Sequence, residues 1–276
     1  MRAPRPKSLI LDLLSTLRRG SMPVAALVEA AGLFGIAEGS LRVALSRLLA
    51  EGRVERDERG AYRLGPAAAP LQGLVGGWRG LESRARAWRG EWIGVQARAS
   101  ESARGAGRPA ARALHLLGFR PFTPELQLRP ANLREGLEGV RERLLELGLP
   151  EACPVFALSG LDPTHDARAR GLWDAAALER DYREARVELE ASGARLPGLG
   201  EALAMTESFR LGGRVLQQLV LDPLLPEPLV DVGARRALAS AMRDYDRLGR
   251  AAWAPFLGRH GVPHFEAPAQ ARWAAA

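Results

Sequence analysis

Arg42 and Arg47, with Ser40, Val43 and Ser46 around them, are the side chains of this 276-residue sequence whose type and spacing best match a definite chemistry. A guanidinium can donate two hydrogen bonds to guanine, and a serine hydroxyl is short enough to meet a phosphate or a base edge. All five lie opposite an apolar stripe of Leu41, Ala44, Leu45, Leu48 and Leu49, whose spacing is that of one helix face. Arg56 and Arg59 follow in a charged stretch where they would reach flanking phosphates or the minor groove. The plainer alternative is that Arg42 and Arg47 only solvate an exposed face, and that the domain takes a protein partner.

These side chains need elements to hold them. Ser8 can cap a first helix running to about Arg19, with Leu9, Leu13, Thr16 and Leu17 on one face and Gly20 closing it. A second helix begins near Pro23 and carries Val24, Leu27, Val28 and Ala31. A break from Gly32 to Gly35 precedes the third helix, Glu38 to Ala50. Beyond Gly52, Val54 stands before a polar turn ending in Gly60, after which Tyr62 and Leu64 alternate: a β-hairpin with a charged tip. Three short helices and a hairpin predict a winged helix-turn-helix over residues 1–65. Its third helix would enter the major groove, which is ~12 Å wide.

Composition frames this reading. Apolar residues make up 47% and charged residues 26%, so a sizeable core is within reach. No run of about 18 apolar residues spans a membrane. The basic, apolar start is interrupted by Asp12 and followed by Arg18 and Arg19, which favours an amphipathic helix over a signal peptide. Cys153 is the only cysteine, so no internal disulfide forms and a cytoplasmic location is expected. The net charge of +7 is concentrated in the first half: residues 1–65 hold 11 basic and 7 acidic side chains, whereas 151–260 hold 14 and 16. A polyanion-binding front end on a neutral body fits that distribution.

Several runs are similar to one family. Ser40-Leu-Arg-Val-Ala-Leu-Ser-Arg-Leu-Leu-Ala-Glu-Gly52 resembles the recognition helix of the phenylacetic-acid-catabolism repressors, the PaaX-type regulators. Trp88-Arg-Gly-Glu-Trp92, Leu116-Leu-Gly-Phe-Arg-Pro-Phe-Thr-Pro-Glu-Leu126, Leu172-Trp-Asp174 and Leu221-Asp-Pro-Leu-Leu-Pro-Glu-Pro-Leu229 resemble further signatures of that family, in its order. The resemblance implies a homodimeric repressor of aromatic-compound catabolism genes that binds a double-stranded DNA operator and is relieved by an aryl-coenzyme A thioester. The tail after Gly258 resembles nothing in the family.

The remaining chain predicts an α+β protein: a linker over 66–87, a ferredoxin-like middle domain over 88–160, and a mainly helical domain with an irregular tail over 161–276. The middle segment reads as a strand from Glu91 to Ala97, a helix from Ala110, a strand pair around Pro121 and Pro124, a helix capped by Asn132, and a strand from Pro154. Effector-binding candidates are Trp88, Trp92, Trp173 and Tyr182 for an aryl or adenine ring, and Arg183, Arg186, Arg210 and Arg214 for phosphates. Against them stands the ordinary use of helical aromatics as core and of Arg as partner to Glu179, Glu184 and Glu207.

Catalytic and cofactor motifs are absent. Gly105-Ala-Gly107-Arg-Pro-Ala110 imitates a dinucleotide fingerprint but contains Pro109 and lacks a following acid at the right distance. His260 and His264 are separated by Pro263 without a completing ligand, and His165 is expected in a loop with Asp162 and Asp166. The family's middle domain is similar to small CRISPR-adaptation endoribonucleases, whose first strand ends in a metal-holding acid. The strand here ends without one. No enzyme, cofactor or metal site is therefore expected. The rival classes are an enzyme acting on a thioester or nucleic acid, and a winged-helix protein-interaction or RNA-binding module without small-molecule sensing.

Overall fold

A computed structural model describes residues 4–16, 21–57, 60–68, 76–97 and 107–263. The chain is mixed helix and sheet, as expected of an α+β protein, with two small antiparallel sheets. It gathers into two compact units: residues 1–76, 187–216 and 240–276 form the first, and 77–186 with 217–239 the second. The units cut across the expected segments, because the helices after residue 161 contribute to both.

The first unit opens with α1 (Pro6–Ser15), β1 (Ser21–Pro23), α2 (Val24–Leu33), α3 (Glu38–Ala50), β2 (Val54–Arg56) and β3 (Ala61–Leu64). The first helix starts two residues before the expected cap at Ser8, because Pro6 sits in its first turn, where a missing N–H costs nothing. The hairpin β2–β3 forms with Val54 opposite Leu64 and Arg56 opposite Tyr62. A third strand, β1, joins it through Met22 opposite Tyr62, giving the order β1-β3-β2. Residues 21–23 alternate in burial over only three positions, too few for periodicity to reveal a strand.

Leu9, Ile10, Leu14, Met22, Leu27, Leu41 and Leu48 are fully buried in the core of this unit. The core does not stop at residue 65. Met205 of α8 (Glu201–Val220) and Trp253, Phe256 and Leu257 of α9 (Val232–Arg259) are buried in the same cluster. Phe209 links them, with its ring 5.1 Å from Phe34 and 5.9 Å from Trp253. Burying each such side chain contributes roughly 1.5–3 kcal/mol. His260, just past α9, meets Glu29 of α2 at 2.8 Å.

The second unit holds β4 (Trp92–Gln96), α4 (Gly107–Leu116), β5 (Arg120–Pro121), β6 (Leu126–Pro130), α5 (Gly136–Glu146) and β7 (Val155–Leu158). All strand pairs are antiparallel, in the order β5-β6-β4-β7, so the chain crosses the sheet through a helix twice. Gly94 in the central strand lies under Phe156; a Cβ there would sit 2.7 Å from the ring. Gly77–Arg84, inside the expected linker, is a 3-10 helix with Trp78 and Leu81 buried.

Two further expectations are corrected here. Asn132 does not cap α5, which begins four residues later; it is fully buried. His165 is not in a loop but in α6 (Pro163–Arg170), capped by the Asp162 side chain accepting from the amides of Thr164 and His165. The long helix α7 (Ala175–Arg195) completes the set.

Candidate nucleic-acid interface

The third helix turns Leu41, Ala44, Leu45 and Leu48 into the core. Leu49, expected in that stripe, is instead 37% exposed, since it lies one position round the helix from Leu48. The other face presents Ser40, Arg42, Val43, Ser46 and Arg47, all exposed, as the sequence predicts. The small residues Gly39, Ser40 and Ser46 keep this surface low. A second body can therefore approach the helix closely.

The two arginines differ in state. Arg42 is held by the first residue of the helix: its Nε donates to Oε1 of Glu38 at 2.7 Å, and Nη2 lies 2.6 Å from the same oxygen. The Arg47 guanidinium makes no hydrogen bond or ion pair among the described residues, although its charge acts on Glu51 one turn on. Ser46 donates back to the carbonyl of Arg42 at 3.1 Å, which leaves its lone pairs outward. Glu51, just past the helix, is tied to Lys7 of α1, so its charge is partly neutralised at the edge of the surface.

In the hairpin, Asp57 accepts from the Ala61 amide at 2.8 Å and Gly60 adopts φ +80°, which closes the turn. Arg56 is exposed, its guanidinium 6.0 Å from the Tyr62 ring, while Arg63 is paired with Glu55 across the strands. Arg59 lies outside the described residues.

The effector candidates separate. In the second unit, Trp92 stacks on Trp173 at 6.2 Å with ring planes 3° apart, and Trp88 meets Trp92 edge-on at 5.0 Å. Trp92 and Trp173 are buried, donating through their indole N–H groups to Asp166 and to the Gly118 carbonyl. Trp88 is half-exposed, with the Arg170 guanidinium 4.7 Å from its ring. Beside it opens a cavity of about 220 Å³ lined by Arg86, Ala87, Arg89, Glu91 and Ala131. Arg183 is exposed and paired with Glu179 and Asp231; Arg186 is half-buried. Arg210 and Arg214 belong to the first unit, Arg210 resting 5.5 Å from the Phe34 ring and Arg214 paired with Glu188.

Tyr182 belongs to a buried polar network that sequence reasoning did not find. Its hydroxyl donates to Asp222 at 2.5 Å. Asp222 also accepts from the Leu224 amide at 2.8 Å and lies 3.8 Å from Arg235, which in turn donates to Glu82 at 2.7 Å. Burial pushes the Asp222 carboxyl above its ordinary range, with Arg235 and the Tyr182 hydroxyl pulling the other way. Burial disfavours the charge on Arg235, but the Glu82 hydrogen bond and the Asp222 charge outweigh it.

The same network grips the Pro-rich run after α8. Consecutive carbonyls of Pro223, Leu224 and Leu225 accept from Arg129, Asn132 and Arg235. Leu224 is held at φ +53°, a left-handed conformation unusual for a residue with a side chain. Gly118, at φ +76°, lets the strap pass: a Cβ would fall 2.7 Å from the Pro223 Cα. A proline-rich run cannot complete a helix or sheet, so its buried carbonyls need side-chain donors. That requirement was the available signal; which donors meet it was not.

Among the described residues no group of three or more His, Cys, Asp or Glu is placed to hold a metal ion, and no helix is long and apolar enough to cross a membrane. A search of curated proteins gives no match. Among solved structures, the chain is similar to the uncharacterized protein Rv0674 from Mycobacterium tuberculosis, with a TM-score of 0.52 and 24% identity over 89% of this chain and 97% of that one. At that identity the likeness is one of fold. A family model described as PaaX-like protein matches residues 5–68, which span α1 to β3 and include every residue of the exposed α3 face. The family that the sequence resembles is thus met where the candidate interface lies, and this part of the chain is similar to PaaX-like proteins.

Proposed function

We infer that this protein is a DNA-binding transcriptional regulator, a repressor of aromatic-compound catabolism genes whose grip on its operator is relieved by an aryl-coenzyme A thioester. The observation that carries the reading is the α3 face: a low surface of Gly39, Ser40 and Ser46 bearing Arg42, Val43 and Arg47, with its opposite side anchored in the core. With β2–β3 as the wing, the first elements make a winged helix-turn-helix. Arg42 and Arg47 meet guanines, Val43 meets a thymine methyl, and Arg56 and Arg59 meet phosphates. The β-α-β-β-α-β order of the second unit is that of a ferredoxin-like domain.

The regulator acts as a homodimer, so its operator carries two half-sites related by the same symmetry. The effector's ring is taken against Trp88 and its phosphates by the arginine-lined cavity beside that residue, while Trp92 and Trp173 back the Trp88 ring. A tenfold loss of operator affinity on binding requires about 1.4 kcal/mol of coupling, and DNA must weaken the effector by the same factor.

Selection of bound duplexes from a random pool, followed by titration of the selected operator, tests the DNA reading. A recovered palindromic sequence that outcompetes single-stranded RNA supports it; equal binding of any polyanion removes it. Calorimetry with phenylacetyl-coenzyme A, with and without operator, tests the effector. Binding by no aryl thioester would leave a regulator that answers another signal.

A further inference from the structure

On the exposed face of α3, Glu38 is the one acid, and it sits at the helix start, where recognition helices meet base edges. An acid there repels every phosphate and weakens binding to DNA at large. Its geometry gives it a compensating use. One carboxylate oxygen, Oε1, takes both the Nε and Nη2 donors along one edge of the Arg42 guanidinium. The far edge, between Nη1 and Nη2, is left open, and it is the fork that matches O6 and N7 of guanine. The second oxygen of Glu38, Oε2, accepts no hydrogen bond among the described residues. It remains an acceptor on the carboxylate that already holds the guanidinium. A G·C pair presents, side by side in the major groove, two acceptors on guanine and the N4 amino donor of cytosine.

We propose that Glu38 and Arg42 act as one specificity element that reads a single G·C base pair, Arg42 taking the guanine and Glu38 the cytosine amino group. The proposal rests on the DNA-binding reading and adds to it a residue that the basic character of the interface would not suggest. The pair also fixes the Arg42 side chain before DNA arrives, so less rotamer freedom is lost on binding. An A·T pair at this position would leave the carboxylate facing the wrong groups and is rejected. Arg47, whose neighbouring acid Glu51 is tied to Lys7, forms no ion pair among the described residues; it is independent of this element and reads or holds a different position.

The test compares wild type with Glu38→Ala, Glu38→Gln, Arg42→Ala and Arg47→Ala by measuring binding to the selected operator and to its full set of single base-pair substitutions. Glu38 is 54% exposed and Arg42 58% exposed, so the fold is expected to survive, and circular dichroism melts confirm that each variant is intact. Glu38→Ala and Arg42→Ala should each relax discrimination at the same G·C pair by about tenfold or more, a step typical of losing a base-edge contact. Combining them should relax it no further than the stronger single change. Glu38→Ala should at the same time bind random-sequence duplex more tightly than wild type, and Glu38→Gln should fall between. Arg47→Ala should leave that position strict. Unchanged discrimination in both Glu38 variants, or relaxation at a position other than the one Arg42→Ala affects, overturns the proposal while leaving the DNA-binding reading intact. If wild-type protein selects no duplex, both fall together.

Discussion

The α3 face of the first unit and the buried network of the second are built around the same residue type and use it in opposite ways. On α3, Arg42 and Arg47 stand in solvent, one steered by a single carboxylate and the other unpaired. In the second unit, Arg129 and Arg235 are almost wholly buried and their donors are spent inside the protein. Arg129 gives to the carbonyls of Leu117, Pro130 and Pro223 and to the Asn132 side chain; Arg235 gives to Glu82 and the Leu225 carbonyl. An arginine whose N–H groups are all answered by its own chain holds structure together, whereas one with open donors is available to a partner. In a sequence with 38 arginines among its 39 basic residues, the residue type therefore says little, and burial and partners say nearly everything.

The largest test of this contrast is Arg235→Ala. It strands Asp222 as an unpaired buried carboxylate and should cost about 3–5 kcal/mol of stability, measured by chemical denaturation. A loss below about 1 kcal/mol, the scale of an ordinary surface ion pair, would mean that the network is not what holds the strap after α8. Tyr182→Phe removes one donor from the same carboxylate and should cost about 1–3 kcal/mol in the same assay. If it instead abolished effector binding with stability unchanged, Tyr182 would belong to a ligand site rather than to the scaffold.

On the other side of the comparison, Arg47→Ala should leave stability within about 0.5 kcal/mol of wild type, as is usual for exposed positions. It should weaken operator binding by about 1–3 kcal/mol, read by titration at fixed salt. Stability loss comparable to that of Arg235→Ala would place Arg47 among the structural arginines. The smallest expected effect is that of Arg56→Ala on the wing. It should lower the slope of log K against log salt by roughly 0.9, the loss of one phosphate contact, without changing base preference. An unchanged slope would put the hairpin off the DNA.

The sequence by itself determined the elements whose signals are local. The stripe Leu41, Ala44, Leu45, Leu48 repeats at helical spacing, so the bounds of α3 and its outward residues are legible in the chain's own periodicity. The hairpin is legible for the same reason: alternation and a turn glycine act over a short stretch of chain. The alternation of strands and helices from Trp92 to Leu158 likewise sets the order of the second unit. Tertiary structure alone decided what depends on residues far apart in the chain. Asn132 looks like a helix cap in sequence, but it is drawn into the interior by the Leu224 carbonyl, 92 residues away. Glu82 lies in a stretch that reads as linker, and becomes half of an ion pair with Arg235, 153 residues on. The core beneath α3 is finished by Met205, Trp253 and Phe256, whose helical pattern shows that they are buried but not against what. The physical reason is the same in each case. Periodicity reports which face of an element avoids water, and a buried polar group must find a partner, but neither rule names the distant residue that supplies it.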